Sequence, residues 1–146
     1  MTKAIYFDMD GTIVDLYGVK NWLDMIINKD ASLYTEATPL LRLSTLARLL
    51  NKLQRNGYII GIVSWLAKNS TENYDLAVSN AKMNWLKSHL ASVEFDEIKI
   101  VPYGTPKEKV VNFPNGILFD DETQNRENWI GTAFDETEIL EILKNL

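Results

Sequence analysis

The segment Lys3-Ala-Ile-Tyr-Phe-Asp-Met-Asp-Gly-Thr12 joins a short apolar run to two aspartates and a glycine. An apolar run of this length, bounded by polar residues and glycine, is typical of a buried strand in an α/β sheet. Residues i and i+2 of a strand point to the same side, so Asp8 and Asp10 are expected to emerge together where the strand ends. Two carboxylates this close raise each other's pKa unless a cation lies nearby. The segment therefore predicts a site that holds a cation.

The same residues have a structural alternative. Asp-Met-Asp-Gly is also typical of an ordinary turn with solvated carboxylates. The strand that runs directly into the acids favours a site, because open α/β sheets bind their ligands at the carboxyl ends of the strands.

Length and composition bound the possible functions. The 146 residues, with 46% hydrophobic and 24% charged side chains, are expected to form a single domain over residues 1–146. A net charge of -5 argues against an extended nucleic-acid surface. The absence of cysteine excludes disulfides, thiolate metal sites and a cysteine nucleophile. No stretch is typical of a signal sequence or a membrane span, so the expected location is cytoplasmic, with no membrane partner.

Apolar runs alternate with helical patterns along the chain. Short runs predict strands at residues 3–7, 58–63, 97–101, 116–119 and 131–134. Helical spacing predicts helices at residues 19–28, 40–56, 123–129 and 136–146, another from a cap at Ser70 or Asn73 to about His89, and a short one that Pro114 ends. Residues 12–17 are expected to form a tight turn or small hairpin, and residues 29–38 a loop. The alternation predicts an α/β fold, a three-layer doubly wound parallel sheet of about five strands.

For two of the predicted helices, the sequence indicates which residues form the apolar face. Residues 40–56 show the clearest pattern, which ends at Gly57 as a C-cap and contains Leu40, Leu43, Leu46, Ala47, Leu49, Leu50 and Leu53. The helix that ends near His89 is expected to bury Leu76, Ala77, Ala81, Trp85 and Leu86. Trp129 is expected to lie in the core, and His89 at a helix end rather than in a catalytic site.

Polar residues follow four of the predicted strands and would share one edge of the sheet. They are Asp8 and Asp10, Ser64, a loop lysine at Lys107 or Lys109, and Asp120 with Asp121. Converging carboxylates suit Mg²⁺, which binds one or two of them together with water and a substrate phosphate. A carboxylate can then attack a phosphate monoester and form an aspartyl-phosphate. We assign Asp8 as the nucleophile and Asp10 as the general acid and then base.

Each of these residues also has an ordinary structural explanation. Ser64 is typical of a turn or cap. The lysines would usually be solvated surface residues. Acids at residues 120–122 would favour the dipole of a following helix. The site is predicted because every one of them follows the end of a strand.

These motifs resemble those of the haloacid-dehalogenase-like (HAD) phosphohydrolase superfamily, over nearly the whole chain. The first motif matches Phe7-Asp-Met-Asp-Gly-Thr12, and the second matches Ile62-Val-Ser64. The third falls on Lys107, with Lys109 as the competing register, and the fourth matches Leu118-Phe-Asp-Asp121. The resemblance implies a phosphatase rather than a dehalogenase, because the second acid of the first motif is present.

The resemblance also implies a role for each motif residue. Asp8 would be the nucleophile and Asp10 the acid/base, while Ser64 and Lys107 would bind phosphate. Mg²⁺ would be held by Asp8, Asp120 and the main-chain carbonyl of Asp10. Asp121 would either be a further ligand or contact one of the ligands.

The expected substrate is a small phosphorylated molecule. Residues 16–39 leave room only for a small helix-loop insertion and no cap domain, so an open site is expected. Trp22, Tyr34 and Trp65 are aromatic candidates for stacking on a base, although Trp22 would also fit under its own helix. Small-capped members with an Asp-Asp-Glu ending resemble the deoxyribonucleotidase branch, which favours a nucleotide. A sugar phosphate and a phosphorylated macromolecule are the alternatives.

Two other functional classes compete with a phosphatase. A phosphorylated signalling receiver would need an aspartate at a later strand end, where this chain has Ser64. A non-catalytic HAD-like binding scaffold is the second alternative, and the complete set of motif residues argues against it. The sequence leaves the oligomeric state open.

Overall fold

The computed structural model describes residues 2–146 and contains seven strands and six α-helices in that range. The strands are β1 (Ala4–Phe7), β2 (Val14–Asp15), β3 (Thr38–Pro39), β4 (Ile59–Trp65), β5 (Glu97–Val101), β6 (Ile117–Phe119) and β7 (Thr132–Phe134). The helices are α1 (Trp22–Ile27), α2 (Leu33–Glu36), α3 (Leu43–Arg55), α4 (Glu72–His89), α5 (Thr123–Asn128) and α6 (Ile139–Lys144). Within residues 2–146, no helix combines the length and the hydrophobicity that crossing a membrane requires.

Five of the strands form one parallel sheet in the order β5-β4-β1-β6-β7. The first strand thus lies in the middle, and the chain winds outward on both sides of it. This confirms the doubly wound α/β fold predicted from the sequence. Phe7 pairs with Ile62 on one side and with Phe119 on the other, so β1 and β6 end level with each other while β4 continues to Trp65 at the same edge. That edge carries the acids.

The core lies on both faces of the sheet, as alternation along the strands requires. Ile5 and Phe7 of β1 belong to the larger cluster, which packs under α3, α4 and α6. Ala4 and Tyr6 belong to a smaller cluster with Trp129 on the opposite face. The expected burial of Trp85 and Trp129 is therefore observed.

The structure corrects several expected boundaries. β4 continues to Trp65, so Ser64 lies inside the strand rather than beyond its end. Residues 29–38 are not all loop, because they contain α2. The small hairpin expected within residues 12–17 instead pairs β2 with the distant β3. The closing helix begins only at Ile139, after a 3₁₀ turn at residues 136–138.

Two helices differ from the sequence prediction in their starts and faces. α3 begins at Leu43, which leaves Leu40 exposed outside it. α4 is capped by Thr71, whose hydroxyl accepts a hydrogen bond from the backbone of Tyr74, and not by Ser70 or Asn73. Its buried face contains Tyr74, Val78, Lys82, Trp85 and Leu86. Leu76, expected in the core, is 64% exposed.

Candidate active site

The backbone of the first motif holds Asp8 at the centre of the sheet edge. The Asp8 N–H donates to the carbonyl of Phe119, 2.9 Å away, so sheet pairing continues one residue beyond β1. Asp8 is buried, and its Oδ2 lies 3.1 Å from the hydroxyl of Thr12. The same hydroxyl accepts a hydrogen bond from the N–H of Asp121 at 3.1 Å. Thr12 thereby links the turn after β1 to the turn after β6.

Gly11 allows this turn to approach Asp121. Its φ of 80° is in the left-handed region, which glycine adopts without strain. A Cβ at this position would overlap the carboxylate of Asp121. A side chain here would therefore displace either the turn or that acid.

Three carboxylates converge at this edge. One oxygen each from Asp8, Asp120 and Asp121 lie within 4.8 Å of one another. Burial and the charge of Asp8 raise the pKa of Asp120 to about 6, although Lys107 acts to lower it. Burial and the same charge raise the pKa of Asp121 to about 8. Full ionisation of the cluster is therefore unfavourable unless a cation lies nearby.

Lys107 supplies one positive charge to this cluster. Its Nζ lies 2.9 Å from Asp8 Oδ1 and 2.7 Å from Asp120 Oδ2, and the side chain is only 2% exposed. Burial acts to lower the pKa of Lys107, but the two carboxylates outweigh burial and raise it. Lys109, the competing register, is exposed.

Trp65 supports the loop that carries Lys107. Its indole N–H donates to the carbonyl of Thr105 at 2.8 Å, two residues before the lysine. The Lys107 ammonium lies 5.4 Å from the centre of the Trp65 ring, within the range of a cation–π interaction. Trp65, considered from the sequence as a base-stacking residue, thus contacts the site lysine directly.

A second group of side chains surrounds Asp10. Its Oδ2 accepts a hydrogen bond from the Tyr34 hydroxyl at 3.0 Å and lies 3.3 Å from Lys82 Nζ. Lys82 also donates to Ser64 Oγ at 2.7 Å. Burial raises the pKa of Asp10, while Lys82 acts to lower it. Ser64 is therefore brought close to Asp10 through a residue that sequence reasoning did not select.

Three residues of the site were missed or misjudged from the sequence. Lys82 is fully buried at a core position of α4, and a lysine at such a position would have been the detectable signal. Asn125 Nδ2 lies 3.2 Å from Asp120 Oδ2 and had no local signal. Tyr34 was expected at the rim as a stacking residue, but it is 6% exposed and bonded to Asp10.

The residues present fit a divalent metal ion. Four carboxylates face two ammonium groups, so the ionised site has two negative charges in excess. Hard oxygen donors in this number and spacing suit Mg²⁺, with water and a substrate oxygen completing its ligands. Asp8, Asp120 and Asp121 would provide the side-chain oxygens.

A cavity of about 460 Å³ lies directly above these groups. Asp8, Asp10, Lys107 and Asp121 line its polar end. Two aromatic pairs line other parts of the wall, Tyr17 with Trp22 and Trp65 with Tyr103, at ring-centre distances of 4.9 Å and 5.0 Å. Trp22 is half-buried there. The cavity thus combines an acidic end with aromatic walls.

No protein-family model matches the sequence, and no curated protein does. Among solved structures, a chain of the "Pnkp1/Rnl/Hen1 complex" aligns with a TM-score of 0.58 and 19% identity over 92% of this chain. The alignment covers 46% of that chain, so this protein spans less than half its length. D,D-heptose 1,7-bisphosphate phosphatase from Burkholderia thailandensis aligns with a TM-score of 0.49 and 14% identity, over 86% of this chain and 70% of the other. The chain has the Rossmann-like α/β fold that the resemblance to the HAD superfamily implied.

Proposed function

We propose that this protein is a Mg²⁺-dependent phosphomonoester hydrolase that works through an aspartyl-phosphate on Asp8. The observation that carries the proposal is the buried contact of Lys107 with both Asp8 and Asp120, beside Asp121. Such an arrangement provides a nucleophile, a fixed positive charge and oxygen ligands at one point, which phosphoryl transfer requires.

In the first step, a carboxylate oxygen of Asp8 attacks the phosphorus, and the bond from phosphorus to the leaving oxygen breaks. Asp10 donates a proton to that oxygen, so the product leaves as a neutral alcohol. Lys107 neutralises charge on the phosphoryl oxygens, and the Ser64 hydroxyl donates a hydrogen bond to one of them. A bound Mg²⁺ would neutralise further phosphoryl charge and align the phosphate with Asp8.

In the second step, water attacks the phosphorus of the aspartyl-phosphate. Asp10, now ionised, accepts a proton from this water. The bond from phosphorus to the Asp8 oxygen breaks, which releases inorganic phosphate and restores the Asp8 carboxylate. Asp10 regains its proton in the same step, so the enzyme returns to its starting state.

The burial of the charged groups favours catalysis over a non-catalytic binding scaffold. Asp8, Lys107 and Asp120 are almost completely removed from solvent. Burying unbalanced charge destabilises a fold, typically by several kcal/mol for each ion that is left without a partner. Charged groups that are buried beside a cavity in spite of this destabilisation are typical of an active site.

The aromatic walls favour a nucleotide as substrate. Tyr17 and Tyr103 are 47% and 53% exposed, so both rings are accessible to a flat base. Lys68 lies 5.8 Å from the centre of the Tyr103 ring and would contribute positive charge there. A sugar phosphate has no base that could stack on these rings.

The test of the reaction is hydrolysis of para-nitrophenyl phosphate with and without Mg²⁺. We expect activity that needs Mg²⁺, is removed by EDTA, and is lost in Asp8→Asn. Asp24→Asn, an exposed aspartate outside the cavity, is the matched control and should retain full activity. Undiminished activity in Asp8→Asn would refute the nucleophile.

The test of the substrate is a comparison of nucleoside monophosphates, sugar phosphates and phosphorylated oligonucleotides. We expect the highest kcat/KM for a nucleotide. Tyr103→Ala should raise KM for nucleotides by about 10-fold, since stacking on one aromatic ring contributes about 1–3 kcal/mol. Its KM for a sugar phosphate should stay unchanged. Equal losses on both substrate classes would argue against base stacking.

A further inference from the structure

Lys82 is a charged residue at a core position of a helix. It lies on the face of α4 that also contains Val78 and Leu86, four residues before and after it, and it is 0% exposed. Lysine is almost never fully buried unless its charge is paired. Its location therefore calls for partners inside the protein.

The Lys82 ammonium has three partners inside the protein, two through hydrogen bonds and one through an ion pair. Its Nζ lies 2.7 Å from Ser64 Oγ, 2.8 Å from the carbonyl of Trp65 and 3.3 Å from Asp10 Oδ2. The Tyr34 ring covers the ammonium at 5.4 Å from the ring centre. Two hydrogen bonds and an ion pair occupy this ammonium, which is 0% exposed and does not line the cavity. Lys82 thus differs from Lys107, which binds only carboxylates of the reacting centre.

The two oxygens of Asp10 have different environments. Oδ2 takes both contacts, from Lys82 and from the Tyr34 hydroxyl at 3.0 Å. Oδ1 is buried and has no hydrogen-bond partner. Asp10 lines the cavity and its side chain is 17% exposed, but that exposed surface is not on Oδ1. The contacts of Oδ2 therefore fix how the carboxyl group meets a reacting atom.

We propose that Lys82 is a positioning residue, which is anchored on Ser64 and Trp65 and, through its contact with Oδ2, fixes the orientation of the Asp10 carboxyl group toward the leaving oxygen. This inference rests on the proposed phosphatase reaction, in which Asp10 is the general acid. A carboxyl group held at one oxygen loses the freedom to rotate, so its orientation toward the leaving oxygen is fixed before the proton transfer. Tyr34, which lies on α2, donates a hydrogen bond to the same oxygen.

The first experiment compares leaving groups in Lys82→Met, which keeps the length of the side chain and removes its donors. An alkyl phosphate needs proton donation to its leaving oxygen, whereas para-nitrophenolate leaves without it. In single-turnover measurements, we expect the rate of leaving-group release to fall about 100-fold for an alkyl phosphate and less than about 5-fold for para-nitrophenyl phosphate. Lys87→Met, an exposed lysine of the same helix, should change neither. Equal losses on both substrates would overturn the positioning role.

The second experiment removes the partner as well. Asp10→Asn/Lys82→Met leaves no buried unpaired charge, so it is expected to fold even where the single Lys82 variant does not. If Lys82 acts through Asp10, the double variant and Asp10→Asn should have the same alkyl phosphatase activity within about 3-fold. A double variant at least 10-fold slower would mean that Lys82 acts on the substrate or through another group.

The wild-type protein separates failure of this inference from failure of the proposed function. Absence of Mg²⁺-dependent phosphatase activity in the wild type would reject the reaction itself. An active wild type together with Lys82→Met of normal activity on alkyl phosphates would reject only the role of Lys82.

Discussion

The ammonium nitrogen of Lys107 lies 2.9 Å from Oδ1 of Asp8, in a buried ion pair between residues 99 positions apart in the chain. The same nitrogen also contacts Asp120, at the end of the neighbouring strand. Lys107 therefore joins Asp8 to Asp120 and compensates part of the negative charge there.

Lys107→Met is expected to lower kcat/KM by about 100-fold or more, because it removes a charge aimed at the phosphoryl oxygens. It should also destabilise the metal-free protein by about 3 kcal/mol, since Asp8 and Asp120 lose their counter-charge. Steady-state kinetics and urea unfolding measure the two effects. Lys109→Met, an exposed lysine in the same turn, should change neither, and a loss of activity in that variant would assign the motif lysine to Lys109.

Gly11→Ala is expected to weaken Mg²⁺ binding, because its Cβ would overlap the carboxylate of Asp121. Gly57→Ala is the matched control, since its φ of 94° is also left-handed but its Cβ would meet nothing within 4 Å. Both should lose about 1–2 kcal/mol of stability from backbone strain. Only Gly11→Ala should raise the Mg²⁺ concentration for half-maximal activity. An equal Mg²⁺ requirement in the two variants would contradict the contact.

Stability without metal should decrease as the pH rises. A carboxyl group whose folded pKa is raised above its unfolded value of about 4 stabilises the fold fully only below that value, and the contribution is lost as pH rises through the folded pKa. For Asp121 the folded pKa is about 8, and for Asp120 about 6, with burial the largest cause of both shifts. Mg²⁺ binds the ionised groups, so it should raise Tm more at about pH 9 than at about pH 6. Thermal unfolding checks this, and an equal rise at both pH values would contradict it.

Trp65→Phe is expected to lower kcat about 10-fold, because the loop of Lys107 loses its hydrogen bond from the indole to Thr105. Trp129→Phe is the matched control, since it removes a similar indole bond to the carbonyl of Gly116 in the smaller core cluster. Each should cost about 1 kcal/mol of stability by urea unfolding. If both variants slow the reaction equally, the effect is one of stability and not of the loop.

The sequence by itself determined the strands, their parallel arrangement and the segments that meet at one edge. An apolar run that ends in Asp8 and another that ends in Asp120 are local patterns, and parallel pairing brings such ends together for any chain of this type. For the same reason the loop lysine could be narrowed to Lys107 or Lys109, and only the resemblance to the HAD motifs favoured Lys107. Local pattern failed where the buried face of a helix depended on packing. Leu76 has the helical spacing expected of a core residue, but it is exposed to solvent.

Only the tertiary structure decided which side chains surround Asp10. Tyr34 lies in a segment that the sequence predicts as a loop, and the partners of Lys82 are distant in the chain. Both residues reach Asp10 in the fold, where α2 packs against α4. A buried lysine is stabilised by acceptors from distant segments, here Ser64, Trp65 and Asp10, and no local pattern encodes such a contact. The partners of a buried charge come from segments that only the three-dimensional fold brings together. The apolar periods that define strands and helices can be seen in the local sequence.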